Sequence, residues 1–379
     1  MRGSGTVARI RLSKSSVGGD EAAALARVIA DGYLGMGEEV RLFEEELAAF
    51  LGGERHVVCV ATGTAALHMA VACLDIGPGD EVLIPSITYV ACFQAVRAMG
   101  ATPVACDVRA HDVFIDVNDA ARRLSKRTRA IMPVHYASGA AGLDDVYALA
   151  RAHGLRVIED AAHAFGCLRH GRKVGADGDV VCFSFDGIKN ITSGEGGAVV
   201  TGDDALARRL RDCRLLGVEH DTEARYQSRR SWTFDVHHQG YRYHMSNLMA
   251  AIGRTQLRKV DAMSERRRRL AARYRELLAG LNLLAPLALE WDGIVPHIFV
   301  VRVASGVRDA LDAWLGAREI ETGLHYQPNH RLSYFASAAA LPVSERLGDE
   351  LLTLPLHADM TEAEQDRVVA AIREFVGSR

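Results

Sequence analysis

The chain has 379 residues, with 45 Lys plus Arg against 48 Asp plus Glu and a formal net charge of -3. That length exceeds the ~250–300 residues at which single cores stop growing, and a composition of 49% hydrophobic and 25% charged residues excludes a wholly disordered chain. Near-neutral charge gives no drive toward a phosphate backbone and argues against nucleic-acid binding; no apolar run approaches the ~20 residues of a membrane helix.

Residues 1–10 read as an expression leader (Met1-Arg2-Gly3-Ser4) followed by an N-terminal arm, and charge and Gly interrupt any signal-peptide pattern. The helical spacing over residues 38–51 puts Phe43, Leu47 and Phe50 on one side. From there short Val/Ile-rich runs alternate with helix-sized stretches. Strands are expected at 57–60, 81–84, 102–106, 130–134, 156–158, 180–185 and 198–201. Helices are expected at 64–74, 89–99, 118–124, 143–152 and 204–215. Strands this apolar are buried on both faces, so the pattern predicts an α/β fold around a largely parallel sheet with helices on each side. Past about residue 247 the pattern changes. A helix at 248–256, a long charged helix ending near 278, strands near 298–303 and helices near 307–315 and 361–375 predict a smaller α+β domain. The expected division is a large domain over 11–250 and a small one over 251–379. The run Arg266-Arg267-Arg268-Arg269 reads as a solvated helix face rather than an anionic-ligand patch. There is no repeat of 20–50 residues and no low-complexity segment.

The seven cysteines are an odd number, none lies in a C-x-x-C pair, and most sit in apolar runs. Buried, reduced thiols in a cytoplasmic protein are expected, and neither disulfides nor a zinc site.

In an open α/β sheet, ligands sit beyond the carboxyl ends of the strands. Four such loops carry unusual residues. Thr62-Gly63-Thr64 opens a helix whose N-terminal N–H groups suit a phosphate, although Thr is also an ordinary helix cap. Pro85-Ser86-Ile87-Thr88-Tyr89 places an aromatic ring where it can stack on a heterocycle or simply join the core. Glu159-Asp160-Ala161-Ala162-His163 ends a buried strand on a carboxylate, which either caps the next helix or keeps a ring nitrogen protonated. Phe183-Ser184-Phe185-Asp186-Gly187-Ile188-Lys189, running into a glycine-rich turn, sets a lone Lys among apolar residues. Burial there lowers its pKa toward a nucleophilic amine, and Ser184 offers a hydroxyl to a phosphate. Taken together these residues fit pyridoxal 5'-phosphate better than a dinucleotide, and no G-x-G-x-x-G follows the first strand.

On these residues the sequence resembles the DegT/DnrJ/EryC1/StrS sugar aminotransferases, a branch of the fold-type I pyridoxal-phosphate enzymes. The likeness runs nearly end to end and is most specific over residues 183–197. It implies the fold-type I architecture: a mostly parallel seven-stranded sheet between helices, plus a smaller C-terminal α+β domain. It also implies that Lys189 is the Schiff-base lysine, Asp160 pairs with the pyridine nitrogen and His163 bonds the phenolic oxygen. Tyr89 would lie over the ring, and Gly63, Thr64 and Ser184 would hold the phosphate. The block Gly240-Tyr241-Arg242-Tyr243-His244-Met245-Ser246-Asn247 is similar to one that reaches into the partner subunit's site, with Arg242 and His244 replacing the usual Asn and Arg. Arg242 would meet the phosphate as a cation. Gly323-Leu324-His325-Tyr326-Gln327-Pro328-Asn329-His330 is similar to a substrate-lining segment, as in the lipid A 4-amino-arabinose aminotransferases. It makes Tyr326 and His330 substrate-side candidates.

The activity so implied is transfer of an amino group from glutamate, which leaves as 2-oxoglutarate, to a keto-sugar carried on a nucleotide. The cofactor passes through its pyridoxamine form, in a cytoplasmic homodimer with shared active sites. The product would be an amino sugar for a surface polysaccharide or a glycosylated natural product. Two rival readings are a sugar dehydratase of the same fold, whose relatives carry His where Lys189 stands, and a non-catalytic pyridoxal-phosphate-binding regulator.

Overall fold

A computed structural model describes residues 8–230 and 232–379; the expected expression leader, residues 1–4, lies outside them. Short, mostly buried strands build the centre of the molecule: β1 (His56–Val60), β2 (Glu81–Pro85), β3 (Thr102–Cys106), β4 (Thr128–Ile131) and β5 (Arg156–Asp160). A two-stranded hairpin, β6 (Leu168–Arg169) and β7 (Arg172–Lys173), precedes β8 (Val180–Ser184) and β9 (Gly197–Thr201). The sheet order is β1-β9-β8-β5-β4-β2-β3, with β9 antiparallel to both neighbours and every other pairing parallel. This is the largely parallel sheet expected from the alternating pattern, with the seven strands that the family resemblance implies.

Strand periodicity sorts the side chains between two faces. Val58, Val60, Ile84, Ile158 and Cys182 pack beneath helices Gly63–Cys73 and Ala91–Ala98. Val57, Cys59, Val181, Phe183 and Val200 pack on helix Glu38–Phe50, where Phe43 and Leu47 are fully buried. Phe50 is only half-buried and stacks on Phe165 at 5.1 Å. All seven cysteines are buried, unpaired thiols. Helix Gly19–Asp31 has no counterpart among the expected elements. It starts where Glu21 accepts a hydrogen bond from Gly18 N at 2.8 Å, and it packs on helix Asn247–Leu257.

A second, antiparallel sheet of order β10-β11-β12 combines β10 (Leu284–Pro286), β11 (Phe299–Val303) and β12 (Leu351–Leu354). Helices Val260–Leu277, Arg308–Gly316 and Glu362–Gly377 cover it. The four-arginine run on the first of these is not a solvated face. Arg267 is 3% exposed and its guanidinium donates to the carbonyls of Pro296, His297 and Leu356 at 3.3, 3.1 and 3.4 Å. Arg266 reaches Met360 O and Arg268 reaches Ile294 O, at 2.6 and 3.0 Å; only Arg269 is exposed. The carbonyls that satisfy this comb come from distant segments, which a charge pattern cannot reveal. Burial lowers the Arg267 pKa to about 10, with Asp359 opposing.

Candidate active site

The carboxyl ends of β1, β2, β5 and β8 open into a cavity of about 500 Å³, closed on one side by His325 and Tyr326. Each wall follows from a local feature of the chain. Beyond β1, the Thr62 hydroxyl caps Ala65 N at 3.0 Å, so helix Gly63–Cys73 begins with the N–H groups of Gly63 and Thr64 lacking intrahelical acceptors. A Cβ at Gly63 would lie 2.7 Å from Ser184 Cβ, so only glycine lets this helix end approach the end of β8. The helix dipole and the Ser184 hydroxyl thus meet at one corner, an arrangement suited to a phosphate. The cap is Thr62, which leaves Thr64 on the cavity wall.

Asp160 is the last residue of β5 and is 6% exposed. Its Oδ1 accepts from Ala162 N at 3.0 Å and its Oδ2 from Cys92 Sγ at 2.9 Å. His163 follows in the turn, also 6% exposed, with Nε2 at 3.1 Å from the Tyr326 hydroxyl and its ring 4.4 Å from that of His297. The Ser138 hydroxyl bonds the carbonyls of His163 and Val295, at 2.5 and 2.8 Å, and accepts from His297 N at 3.1 Å. His163 Nδ1 is buried with no partner among the described residues. Burial, reinforced by the Lys189 charge, holds the His163 pKa well below the usual imidazole value, so the ring is neutral.

Lys189 lies half-buried on the same wall, and no hydrogen bond or ion pair holds its amine among the described residues. Its loop is tightly fixed instead: Asn190 Nδ2 bonds Phe165 O and Val295 O at 3.0 and 3.2 Å, and Ser15 Oγ bonds Gly187 O at 2.5 Å. Burial lowers the Lys189 pKa against the opposing pull of Asp160 and Asp186. An anchored backbone with a free, less basic amine is what a nucleophilic lysine requires.

The structure therefore gathers Gly63, Thr64, Tyr89, Asp160, His163, Ser184, Lys189 and Tyr326 around one cavity. Tyr89 is 57% exposed at its mouth, with its ring 5.6 Å from that of Tyr326. Two expected residues are elsewhere. His330 is buried away from the cavity, with Nδ1 2.6 Å from Ser86 Oγ and Nε2 3.4 Å from Glu345. Its neighbour Asn329 bonds the carbonyls of Ser86 and Thr88, which turns this part of the segment under the Tyr89 loop. Arg242 is exposed beside Trp232 and Phe234, off the cavity of its own chain. The block that carries it is stapled to the site, since Ala61 N donates to Tyr243 O at 2.7 Å.

Sequence reasoning passed over His325, whose Nδ1 is 2.9 Å from Thr353 Oγ1, and the rim carboxylates Asp186 and Glu195. The Glu195 pKa is raised by burial and by Asp186. Burial and the Lys189 charge push the His325 pKa down to about 4. Between that value and the ~6.5 of a free imidazole, the unfolded chain binds a proton that the folded chain does not. Stability therefore falls as pH drops from about 6.5 toward 4, and the neutral His163 and His297 act with the same sign. Urea midpoints of the wild type and His325→Gln, measured across that window, should show a shallower pH slope in the variant. Equal slopes would remove His325 from the account.

Both the sequence and the fold have counterparts among known proteins. The sequence matches the DegT/DnrJ/EryC1/StrS aminotransferase family over residues 15–373. Among solved structures, the aminotransferase TlmJ from Streptoalloteichus hindustanus is 32% identical, with 98% of this chain and 100% of that chain covered and a TM-score of 0.92. DesV of S. venezuelae, solved in complex with a ketimine intermediate, is 35% identical over 98% of this chain and 99% of that one, with a TM-score of 0.88. The sugar aminotransferase CalS13 from Micromonospora echinospora is 30% identical over 96% and 99%, with a TM-score of 0.88.

Proposed function

The chain belongs to the DegT/DnrJ/EryC1/StrS aminotransferase family, and from that premise we propose that it is a pyridoxal-phosphate-dependent sugar aminotransferase. Its amino donor in this reading is glutamate and its acceptor a keto-sugar linked to a nucleotide. The observation that carries the reading is the half-buried Lys189 amine in one cavity with the Asp160 carboxylate and the Nδ1 of His163, the amine and Nδ1 both without a partner among the described residues. These groups fit pyridoxal phosphate: Asp160 for the ring nitrogen, His163 for the phenolic oxygen, and Gly63, Thr64 and Ser184 for the phosphate.

When bound, the cofactor supplies a cationic ring that accepts the electron pair left on carbon as a proton departs. The chain's own residues do the rest. With its pKa lowered by burial, the Lys189 amine can take the proton from the carbon bearing the amine and return it at the far end of the transferring unit. The anionic Asp160 favours a protonated ring nitrogen. His163 stays neutral and so offers a hydrogen bond without a competing positive charge. Tyr89 and Tyr326 flank the mouth and limit water. Arg242, exposed on the block that would face a second copy, is assigned to the phosphate of the partner's site in a homodimer with shared active sites.

The test is a half-reaction followed by a screen. Protein loaded with pyridoxal phosphate and given glutamate should release one 2-oxoglutarate per site and stop. Turnover should then resume with a UDP-, GDP- or dTDP-linked keto-sugar. Failure to release 2-oxoglutarate rejects the donor. Release without turnover on any of the keto-sugars rejects the acceptor class.

A further inference from the structure

Behind the carboxylate of Asp160 lies a buried side chain that the proposed chemistry does not use. Cys92, on helix Ala91–Ala98, is 0% exposed and its Sγ sits 2.9 Å from Asp160 Oδ2. The thiol has a second polar neighbour, since the hydroxyl of Thr88, itself 1% exposed, is 3.3 Å from Sγ. Thr88 is in turn held by Asn329, whose side-chain amide donates to Thr88 O at 2.7 Å. A chain of contacts thus runs from the segment of His325 and Tyr326, through Asn329, Thr88 and Cys92, to Asp160.

We infer that Cys92 is a positioning residue for the cofactor-binding carboxylate: its thiol donates a hydrogen bond to Asp160 Oδ2 and, with Ala162 N on Oδ1, fixes the plane in which the carboxylate meets a pyridine ring nitrogen. The inference rests on the proposed function and deepens it. A carboxylate at a strand end can rotate about its terminal torsion, which is broad. Donors on both oxygens, from the backbone on one side and the thiol on the other, remove that freedom before the cofactor arrives. The donor role is available because the thiol keeps its proton: burial and the adjacent Asp160 charge push the Cys92 pKa well above the ordinary value, so ionisation to a thiolate, which cannot donate, is suppressed. The other ionisable groups around Asp160 are Lys189 across the cavity, Cys182 on β8 and Tyr326; none of them makes a hydrogen bond to either carboxylate oxygen. A weak donor also leaves most of the negative charge on the carboxylate, where a protonated ring nitrogen needs it.

The experiment measures the affinity of the apoprotein for pyridoxamine 5'-phosphate, which cannot link covalently to Lys189, in wild type, Cys92→Ala and Cys92→Ser. The same comparison is made in an Asp160→Asn background. Loss of the donor should weaken binding about tenfold in Cys92→Ala, and Ser, which keeps a donor, should stay within about threefold of wild type. In the Asp160→Asn background the Cys92→Ala change should cost almost nothing, because the interaction it removes is already gone. Equal losses in both backgrounds, or Ser as damaging as Ala, would mean that the sulfur only fills space and would overturn the inference. If Cys92→Ala does not fold, Cys92→Val, which fills the space without a donor, takes its place beside Ser, and equal affinities in the two count against the inference. Should Asp160→Asn itself leave affinity unchanged, the reading of the site fails rather than the role of Cys92.

Discussion

Lys189→Ala is expected to lose amino transfer by on the order of 10³-fold or more, while its thermal midpoint stays close to that of the wild type. The two halves of this result follow from one feature. The amine has no hydrogen bond or ion pair among the described residues, so truncation breaks neither, and the relieved desolvation of a half-buried cation offsets the lost pull of Asp160 and Asp186. The neighbouring bases cannot replace it. His163 is neutral and tied to Tyr326, and His325, at about 4, is too weak a base to take a proton from carbon at neutral pH. Borohydride treatment of wild-type protein loaded with pyridoxal phosphate should add the cofactor's mass to the peptide bearing Lys189, and no adduct should form in the variant. Turnover within tenfold of wild type, or an adduct on another lysine, would refute the assignment of Lys189.

How far the sequence anticipates this site depends on whether a feature is local. The strands were readable because burial on both faces leaves runs such as Val180-Val181-Cys182-Phe183 apolar throughout. Asp160 stands out for the converse reason, since a carboxylate at the end of such a run is costly unless something meets it, although a helix cap would do; Lys189 stands out as a lone cation between apolar residues and a glycine-rich turn. Features made by contacts between distant segments were not readable. Cys92 looks like any buried thiol until the fold brings it to Asp160, 68 residues away. Arg267 looks solvated until carbonyls from Pro296 and Leu356 close on it. Within the segment 323–330 the choice between His325 and His330 turns on the hydrogen bonds of Asn329 to the Ser86 loop, which send the second histidine under the surface and leave the first on the cavity. Residue type alone does not distinguish them.

The largest effect on stability is expected at a charge pair that supports the cavity from behind. Arg214 is 0% exposed, and its guanidinium contacts the Glu44 carboxylate, Cys59 O at 2.9 Å and the Tyr226 hydroxyl at 2.9 Å. Glu44, 7% exposed on helix Glu38–Phe50, also accepts from Cys59 N at 2.7 Å and from Tyr226. Burial alone works against the Arg214 cation, but the Glu44 charge and Tyr226 outweigh it, so the guanidinium pKa is raised and the cation persists. Glu44→Ala leaves that cation buried without its counter-charge, and removing one partner of such a pair costs about 3–5 kcal/mol. Urea unfolding should show that loss. Replacing both residues, Glu44→Leu with Arg214→Met, should recover only part of it: the buried charges are gone, but Cys59 N, Cys59 O and the Tyr226 hydroxyl lose their partners. The defect should also reach the site, since Arg214 O accepts from Tyr243 N at 3.0 Å and Tyr243 O accepts from Ala61 N just before Thr62 and Gly63. Weaker cofactor binding in Glu44→Ala is therefore expected alongside the lower urea midpoint. A single variant that loses less than about 1 kcal/mol would show that water or a rearranged partner compensates Arg214, and the pair would then not be what holds the end of β1.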